Sequence, residues 1–477
     1  MYPTEKRLLA GIRAAIAPLA EAGRPDEDQR VAAGIALALD ELELRQDEAF
    51  FAEARREAEG ILEAASALTG KTPAAPAAPW SMNGAALQLE QAVRDLSRGG
   101  VDPASARPLL DRIVDWENLL HKRRGNPPRA AATPESGVTV DAAALRDYLA
   151  RHFLERDVTI THLRQLVGGF SKLTVLFDAE YGGMRKSYVL RGEQPRNLLL
   201  LEGTDIRNEY HVLHYVRRGG LPVPEPLWLE EDASRLGARF LISDKAQGRN
   251  FGSRVDVRET ISPALLRELI GKLVAIHTLP VDADDADVAA SHLSGWARHK
   301  TLTECVAAQI AFWRARSADF GLPPSPILVR ALDWLEANVP HDDAAPSLVH
   351  GDYGLHNLLI TDDDKISCIL DWEAAGIGDP ADEMAWLTAG LAASFPPADV
   401  VALYHELGGP RLSEERLRYF EVMNAVRFEV TCGRALHLFE ADPAVGLDAL
   451  QLGLLYMQHG TGGLNAAIER AEAARKA

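Results

Sequence analysis

The stretch Pro346–Pro380, PSLVHGDYGLHNLLITDDDKISCILDWEAAGIGDP, constrains this chain more than any other. Apolar runs at Leu348–Val349, Leu358–Ile360 and Ile366–Leu370 alternate with polar breaks. That pattern reads as strand, polar loop, short strand, Asp-rich turn and strand, followed by an acidic end. The second and third strands pair across TDDDK as a hairpin, which sets the loop His350–Asn357 beside Asp371 and Glu373. Four oxygen-bearing side chains, Asp352, Asn357, Asp371 and Glu373, are expected to converge on one point. Oxygen donors without cysteine suit a hard cation such as Mg2+, and a Mg2+ held by few protein groups keeps positions open for phosphate oxygens. Phosphoryl transfer also needs one carboxylate left off the metal, to position the attacking hydroxyl and accept its proton. Asp352 is the candidate for that role.

The same loop admits other readings. His350, Asp352 and His356 could ligate a hydrolytic transition metal, although nothing else in the chain supplies a matching histidine cluster. A purely structural polar loop is the other alternative. Both leave Asp371 and Glu373 to chance.

The rest of the chain changes period twice. Residues 1–122 carry helical stripes: Leu8, Leu9, Ile12, Ile16 and Leu19; Val31, Ile35, Leu39 and Leu42; Leu109, Leu110, Ile113, Trp116 and Leu120. GKTPAAPAAPW, Gly70–Trp80, reads as a loop inside this region, and the Pro/Ala-rich stretch 123–137 as a linker that closes it. From Val158 to Asp244 apolar and polar residues alternate with β-branched enrichment, which predicts antiparallel strands, a Tyr181–Gly183 hairpin turn and a helix over 205–216. Beyond Ser262 the pattern is mainly helical. LVGGFSKLT places Gly168, Gly169 and Ser171 between two strands, where backbone N–H groups can approach phosphates; no Walker A loop occurs.

HGDYGLHN with the downstream LDWE resembles the catalytic motif of the aminoglycoside phosphotransferase and choline kinase-like family of small-molecule kinases. The resemblance covers roughly residues 155–450. It implies an α+β, protein-kinase-like two-lobed fold, with a small antiparallel β-rich N-lobe (138–248) and a mainly helical C-lobe (249–477), here preceded by a separate all-helical N-terminal domain. It implies Asp352 as catalytic base with Asn357, Asn357 and Asp371 as metal ligands, Glu373 as an auxiliary acid of the metal site, and ATP (or GTP) with Mg2+ as cofactors. The family places a cation on the third strand and an acid on the next helix; VLR offers Arg191 where Lys is usual, and EYHVL offers Glu209. VLR, EY and PVPEPL in this order resemble the kinase domains associated with acyl-CoA dehydrogenases. A guanidinium still binds phosphate. A structural ion pair of Arg191 with Glu209 is the plainer alternative. FLISDKAQG, Phe240–Gly248, resembles the linker between lobes, and His277 reads as core packing. Glu383 stands where the family usually has an Asp supporting the catalytic loop. The short run from Asp371 to Asp379 leaves no room for a long regulatory segment, as an unregulated small-molecule kinase requires.

A formal charge of −18 over 477 residues argues against nucleic acid or anionic membrane as partner. Apolar runs are too short to span a membrane, no signal segment is evident, and a cytoplasmic protein is expected. Three scattered cysteines read as buried small hydrophobes. The expected partner is a small-molecule hydroxyl acceptor, a hydroxyacyl-CoA-type metabolite or an antibiotic-like alcohol, contacted from Trp296–Phe312 and Tyr419–Leu438. The N-terminal helices are free for dimerisation, cover over the substrate lobe or partner docking, with self-packing the first expectation. A nucleotide-binding pseudokinase recruiting a partner through those helices is the alternative function; the intact Asp352, Asn357 and Asp371 weigh against it.

Overall fold

Alternating side chains along the 158–244 segment must send one set to each face of a sheet, and the computed structural model shows that sheet. It describes residues 5–16, 35, 38–39, 42, 48–72, 80–98, 100–124, 140–154, 157–166, 172–194, 205–253, 256–257, 261–322, 325–443 and 445–475. Gly168, Gly169 and Ser171 of the expected glycine-rich loop, residues 125–137 of the expected linker, and Val31 of the second N-terminal stripe lie outside them. Among the described residues no helix is long and apolar enough to cross a membrane.

The chain forms two compact units. One comprises Met1–Pro134, Ala307–Val339 and Glu421–Ala477; the other comprises Glu135–Val306 and Pro340–Phe420. The N-terminal helices therefore do not stand alone, since two stretches expected in the C-lobe share their unit. A helical stripe specifies that a face will be buried, and leaves open which other helix buries it. In the first unit Phe50, Ile61, Leu89, Val93, Ile113 and Trp116 make one core, and the Trp116 indole N–H donates to the Ala54 carbonyl at 2.7 Å. Leu8 and Ile12 are buried as their stripe requires, whereas Leu9 is exposed.

Glu117 of the helix Pro103–Arg124 accepts from the Ile327 N–H at 2.8 Å, in the first turn of the helix Pro326–Ala337. An acid suits that position, yet burial pushes its carboxyl up to about 8. A folded-state value above the unfolded one of 4.5 means that the folded protein holds the proton more tightly. Its contribution is full below pH 4.5 and is lost as pH rises towards 8. Glu117→Gln, a permanent stand-in for the protonated acid, should raise Tm at pH 8 by about 2–4 °C per ~1 kcal/mol recovered. At pH 5 it should change little. Melting both proteins across that range checks it.

The second unit opens with the helix Ala142–Phe153, capped by Asp141, whose carboxylate accepts from Ala144 N–H. Strands β1 (Thr159–Leu166), β2 (Lys172–Tyr181), β3 (Met184–Glu193), β4 (Pro226–Glu230) and β5 (Phe240–Asp244) form an antiparallel sheet ordered β1-β2-β3-β5-β4. Gly182 and Gly183 both have positive φ, 55° and 76°, as a two-residue hairpin between Tyr181 and Met184 demands. One sheet face carries Leu173, Val175, Phe177, Tyr188, Leu190, Phe240 and Ile242 into a single core. The register Lys172↔Glu193 and Thr174↔Arg191 puts Lys172, Thr174 and Arg191 on the other face. The helix Ile206–Arg218, capped by Asp205, follows β3 as expected.

After β5 the chain passes Gly248 and enters β6 (Arg249–Asn250), with a small ribbon of β7 (Gly252–Ser253) and β8 (Asp256–Val257) behind it. Gly248 has φ 138°, and a Cβ there would sit 2.6 Å from Ser367 Oγ and 2.9 Å from Leu359 Cβ, so this crossing needs glycine. The remaining strands are β9 (Ser347–Val349), β10 (Leu358–Ile360), β11 (Ile366–Ile369) and β12 (Gly376–Gly378). β10 pairs with β11 across the TDDDK turn, as the sequence predicts, and also with β6. β9 pairs instead with β12, a strand whose Gly-Ile-Gly composition gives no alternation to read.

Candidate active site

Strand β9 ends at Val349, and Gly351 then takes φ 84°. A Cβ at Gly351 would lie 2.1 Å from the Ala374 carbonyl oxygen, so the backbone passes the segment after Asp371 at a distance only glycine permits. His350 is fully buried. Its Nε2–H donates to the Leu370 carbonyl at 2.8 Å, and its Nδ1 accepts from Asp352 N–H at 3.3 Å. Both ring nitrogens are thereby used in protein hydrogen bonds, which removes His350 from any transition-metal site. Its partners join the two halves of the motif.

Asp352 is held from three sides. The Trp386 indole N–H donates to Oδ1 at 3.0 Å, the Asn357 amide donates to Oδ2 at 3.0 Å, and His356 Nε2 lies 3.2 Å from Oδ2. A third of the side chain stays accessible, 34%, enough for an incoming hydroxyl to reach it. Asn357 Nδ2 also donates to the Asp352 carbonyl at 2.9 Å. With its amide hydrogens turned to Asp352, Asn357 keeps its oxygen as an acceptor for another group.

The hairpin register places Leu358 opposite Ile369, and Leu370 N–H donates to the Asn357 carbonyl at 2.8 Å. Asn357 therefore stands opposite Leu370, the residue before Asp371. Asp371 occupies the left-handed region, φ 65° and ψ 59°, which is uncommon for a residue other than glycine. Arg191 donates to Asp371 Oδ1 at 2.7 Å. On its other side Arg191 Nε lies 2.7 Å from Glu209 Oε1 as a charge pair without an aligned N–H. The expected Arg191–Glu209 pair is present, and it extends to Asp371.

Glu373 lies beside Lys172. Its carboxylate is 5% exposed and sits 3.5 Å from the ammonium of Lys172. Burial, then the Asp371 charge, pushes its carboxyl up to about 7 against the pull of Lys172 and Arg191. Among the described residues no three His, Cys, Asp or Glu side chains form a group able to hold a metal. Hydrogen bonding joins Asp352 to Asn357, and ion pairs join Asp371 to Arg191, Arg191 to Glu209 and Glu373 to Lys172. Glu373 sits in the 3-10 turn Trp372–Ala374 that follows Asp371.

The loop rests on Glu383 in the first turn of the helix Pro380–Leu391. Its carboxylate accepts from His350 N–H at 3.1 Å, from Gly351 N–H at 2.7 Å and from His277 Nε2–H at 3.0 Å. His277 in turn meets the Tyr404 hydroxyl at 2.7 Å. His277 is a buried core residue, as read, with a second task in orienting Glu383. Burial would raise the Glu383 carboxyl, but the hydrogen bond and charge of His277, followed by His350, hold it below the usual carboxylate range. Sequence reasoning missed Trp386 and Lys172. Trp386 lies three residues after Glu383 on one helix face, which marks it as a neighbour of the same loop. Lys172 is marked by the β2–β3 register.

This geometry has a family counterpart. A family model described as APH, the phosphotransferase enzyme family, matches residues 162–420, over half of the 477-residue chain. The chain belongs to the phosphotransferase enzyme family. It is 29% identical over 252 residues to acyl-CoA dehydrogenase family member 11 of Gallus gallus, which is 52% of this chain and 31% of that protein. It is 26% identical over 239 residues to hygromycin-B 4-O-kinase of Escherichia coli, 49% of this chain and 64% of that one. The chain thus spans about a third of the length of its acyl-CoA dehydrogenase relative. A crystal structure from Ralstonia eutropha assigned to the aminoglycoside phosphotransferases superposes with a TM-score of 0.52 at 22% identity, covering 71% of this chain and 99% of that one. The phosphotransferase fold is shared with it.

Proposed function

We propose that this phosphotransferase-family chain transfers the γ-phosphoryl group of ATP to a hydroxyl of a small molecule. The observation that carries the proposal is Asp352: a carboxylate fixed by three donors, open on one side, and next to an asparagine whose oxygen is spare. Asp352 orients the acceptor hydroxyl and takes its proton while the acceptor oxygen bonds to phosphorus and the bond to the β-phosphate oxygen breaks, releasing ADP. Asn357 and Asp371 offer one amide oxygen and one carboxylate, a hard and sparse donor set that fits Mg2+. When bound, that ion would neutralise charge on the phosphates. Arg191 holds Asp371 towards this position and ties it to the helix through Glu209. Gly168, Gly169 and Ser171 are proposed as the loop over the phosphates.

For the acceptor, likeness to a protein named for acyl-CoA dehydrogenation supports a hydroxyacyl-type alcohol, and likeness to a hygromycin-B kinase supports a polar antibiotic-like alcohol. The test is calorimetric titration of ATP and of ADP, with and without Mg2+, into the wild type and Asp371→Ala. Mg2+-dependent binding weakened by at least about tenfold, ~1.4 kcal/mol, in Asp371→Ala is expected. A wild-type protein that binds neither nucleotide would sink the proposal.

A further inference from the structure

A lysine that is 3% exposed and stands beside a buried carboxylate needs an explanation, because burying an ammonium is costly unless something compensates it. Lys172 begins β2 on the sheet face opposite the apolar core, diagonal to Arg191 across the β2–β3 register. Two cations, Lys172 and Arg191, here face three acids, Glu209, Asp371 and Glu373. The two cations are held differently. Arg191 is engaged at 2.7 Å with Glu209 on one side and at 2.7 Å with Asp371 on the other. Its guanidinium spans the helix and the segment after β11 and is not at liberty to follow a ligand. Lys172 stands 3.5 Å from Glu373. An ammonium on a flexible stem can change partners, which a forked guanidinium fixed at both ends cannot.

We propose that Lys172 is the phosphate-binding cation of this site, displaced from the third strand to the second, and that Glu373 holds its ammonium until a nucleotide phosphate takes its place. The division of labour follows from the geometry. Arg191 keeps the structural bridge to Glu209 and Asp371. Lys172 supplies the mobile positive charge, and Glu373 is its counter-charge in the nucleotide-free protein. The inference rests on the kinase reading and deepens it.

The experiment measures ADP and adenosine binding without Mg2+ to the wild type, Lys172→Met and Glu373→Gln, with Tm recorded for each. ADP binding should weaken by at least about tenfold in Lys172→Met, with adenosine affinity unchanged within about twofold. Glu373→Gln should bind ADP as tightly as the wild type or more tightly, because the competing carboxylate is gone. A pair that only holds the fold predicts something different: both variants melt lower together and lose ADP and adenosine alike. That result, or a Lys172→Met protein that binds ADP like the wild type, overturns the inference while leaving the kinase reading in place. A wild type that binds no ADP overturns both.

Discussion

Asp352→Asn should lower kcat by about 10²–10⁴-fold, the usual contribution of a positioned general base, and leave the dissociation constant for ATP within about twofold. The separation follows from the site's two sets of groups. Asp352 touches Trp386, Asn357 and His356, whereas Arg191, Glu209, Lys172 and Asp371 form the other set. An amide at position 352 keeps an oxygen for one donor but cannot take a proton. It also sets an NH2 group against one of the donors now pointing at the carboxylate, so a small fall in Tm is expected. The side chain is one-third accessible, and water can relieve that mismatch. Turnover of ATP with an acceptor found by screening, beside nucleotide titration, gives the answer. Asp352→Asn that turns over at the wild-type rate would remove the base assignment, and a parallel loss of ATP binding would mean that Asp352 belongs to the metal set.

The catalytic motif and the sheet were legible because both rest on short-range chemistry. TDDDK between two apolar runs specifies the β10–β11 hairpin, and Gly182-Gly183 specifies the β2–β3 turn. Three things were not. The pairing of β9 with β12 joins residues about thirty positions apart through Gly-Ile-Gly, which has no strand signature of its own. The 3-10 turn Trp372–Ala374 that carries Glu373 leaves no mark in the spacing of LDWE. The grouping of the N-terminal helices with Ala307–Val339 and Glu421–Ala477 is long-range packing between apolar faces, and each face is compatible with many partners. Lys172 shows how register adds to spacing: in the linear sequence it follows a glycine turn, and only its place opposite Glu193 brings it to the face that carries Arg191.

The second large effect is expected at Glu383, which touches none of the reacting groups. Four groups are ordered through it. His350 N–H, Gly351 N–H and His277 Nε2–H all donate to its two oxygens, and His277 meets Tyr404 behind it. Because Gly351 is already forced against Ala374 at positive φ, the loop cannot shift to find other acceptors for these N–H groups. Glu383→Gln is nearly isosteric, but where the carboxylate offers an acceptor to both ends, the amide offers a donor to one of them. One backbone N–H or the His277 N–H is then left facing another donor at a site that is 3% exposed. Leaving one such buried donor unsatisfied costs about 1–3 kcal/mol. That is a fall in Tm of about 2–10 °C for units of this size. The pH dependence has a definite sign. The Glu383 carboxyl is held below its ordinary value of 4.5, so its stabilisation is present above that value and disappears as pH falls through the lower folded-state one. The Tm gap between wild type and Glu383→Gln should therefore be widest near neutrality and close on acidification below pH 4.5. Activity should fall with it, because the loop from His350 to Asn357 carries Asp352, and a base displaced by a fraction of an ångström loses alignment with its hydroxyl. Melting curves from pH 3 to 8, paired with turnover at pH 7, test both halves. Equal Tm values at neutral pH would show that the paired acceptor oxygens of the Glu383 carboxylate are not what holds the loop.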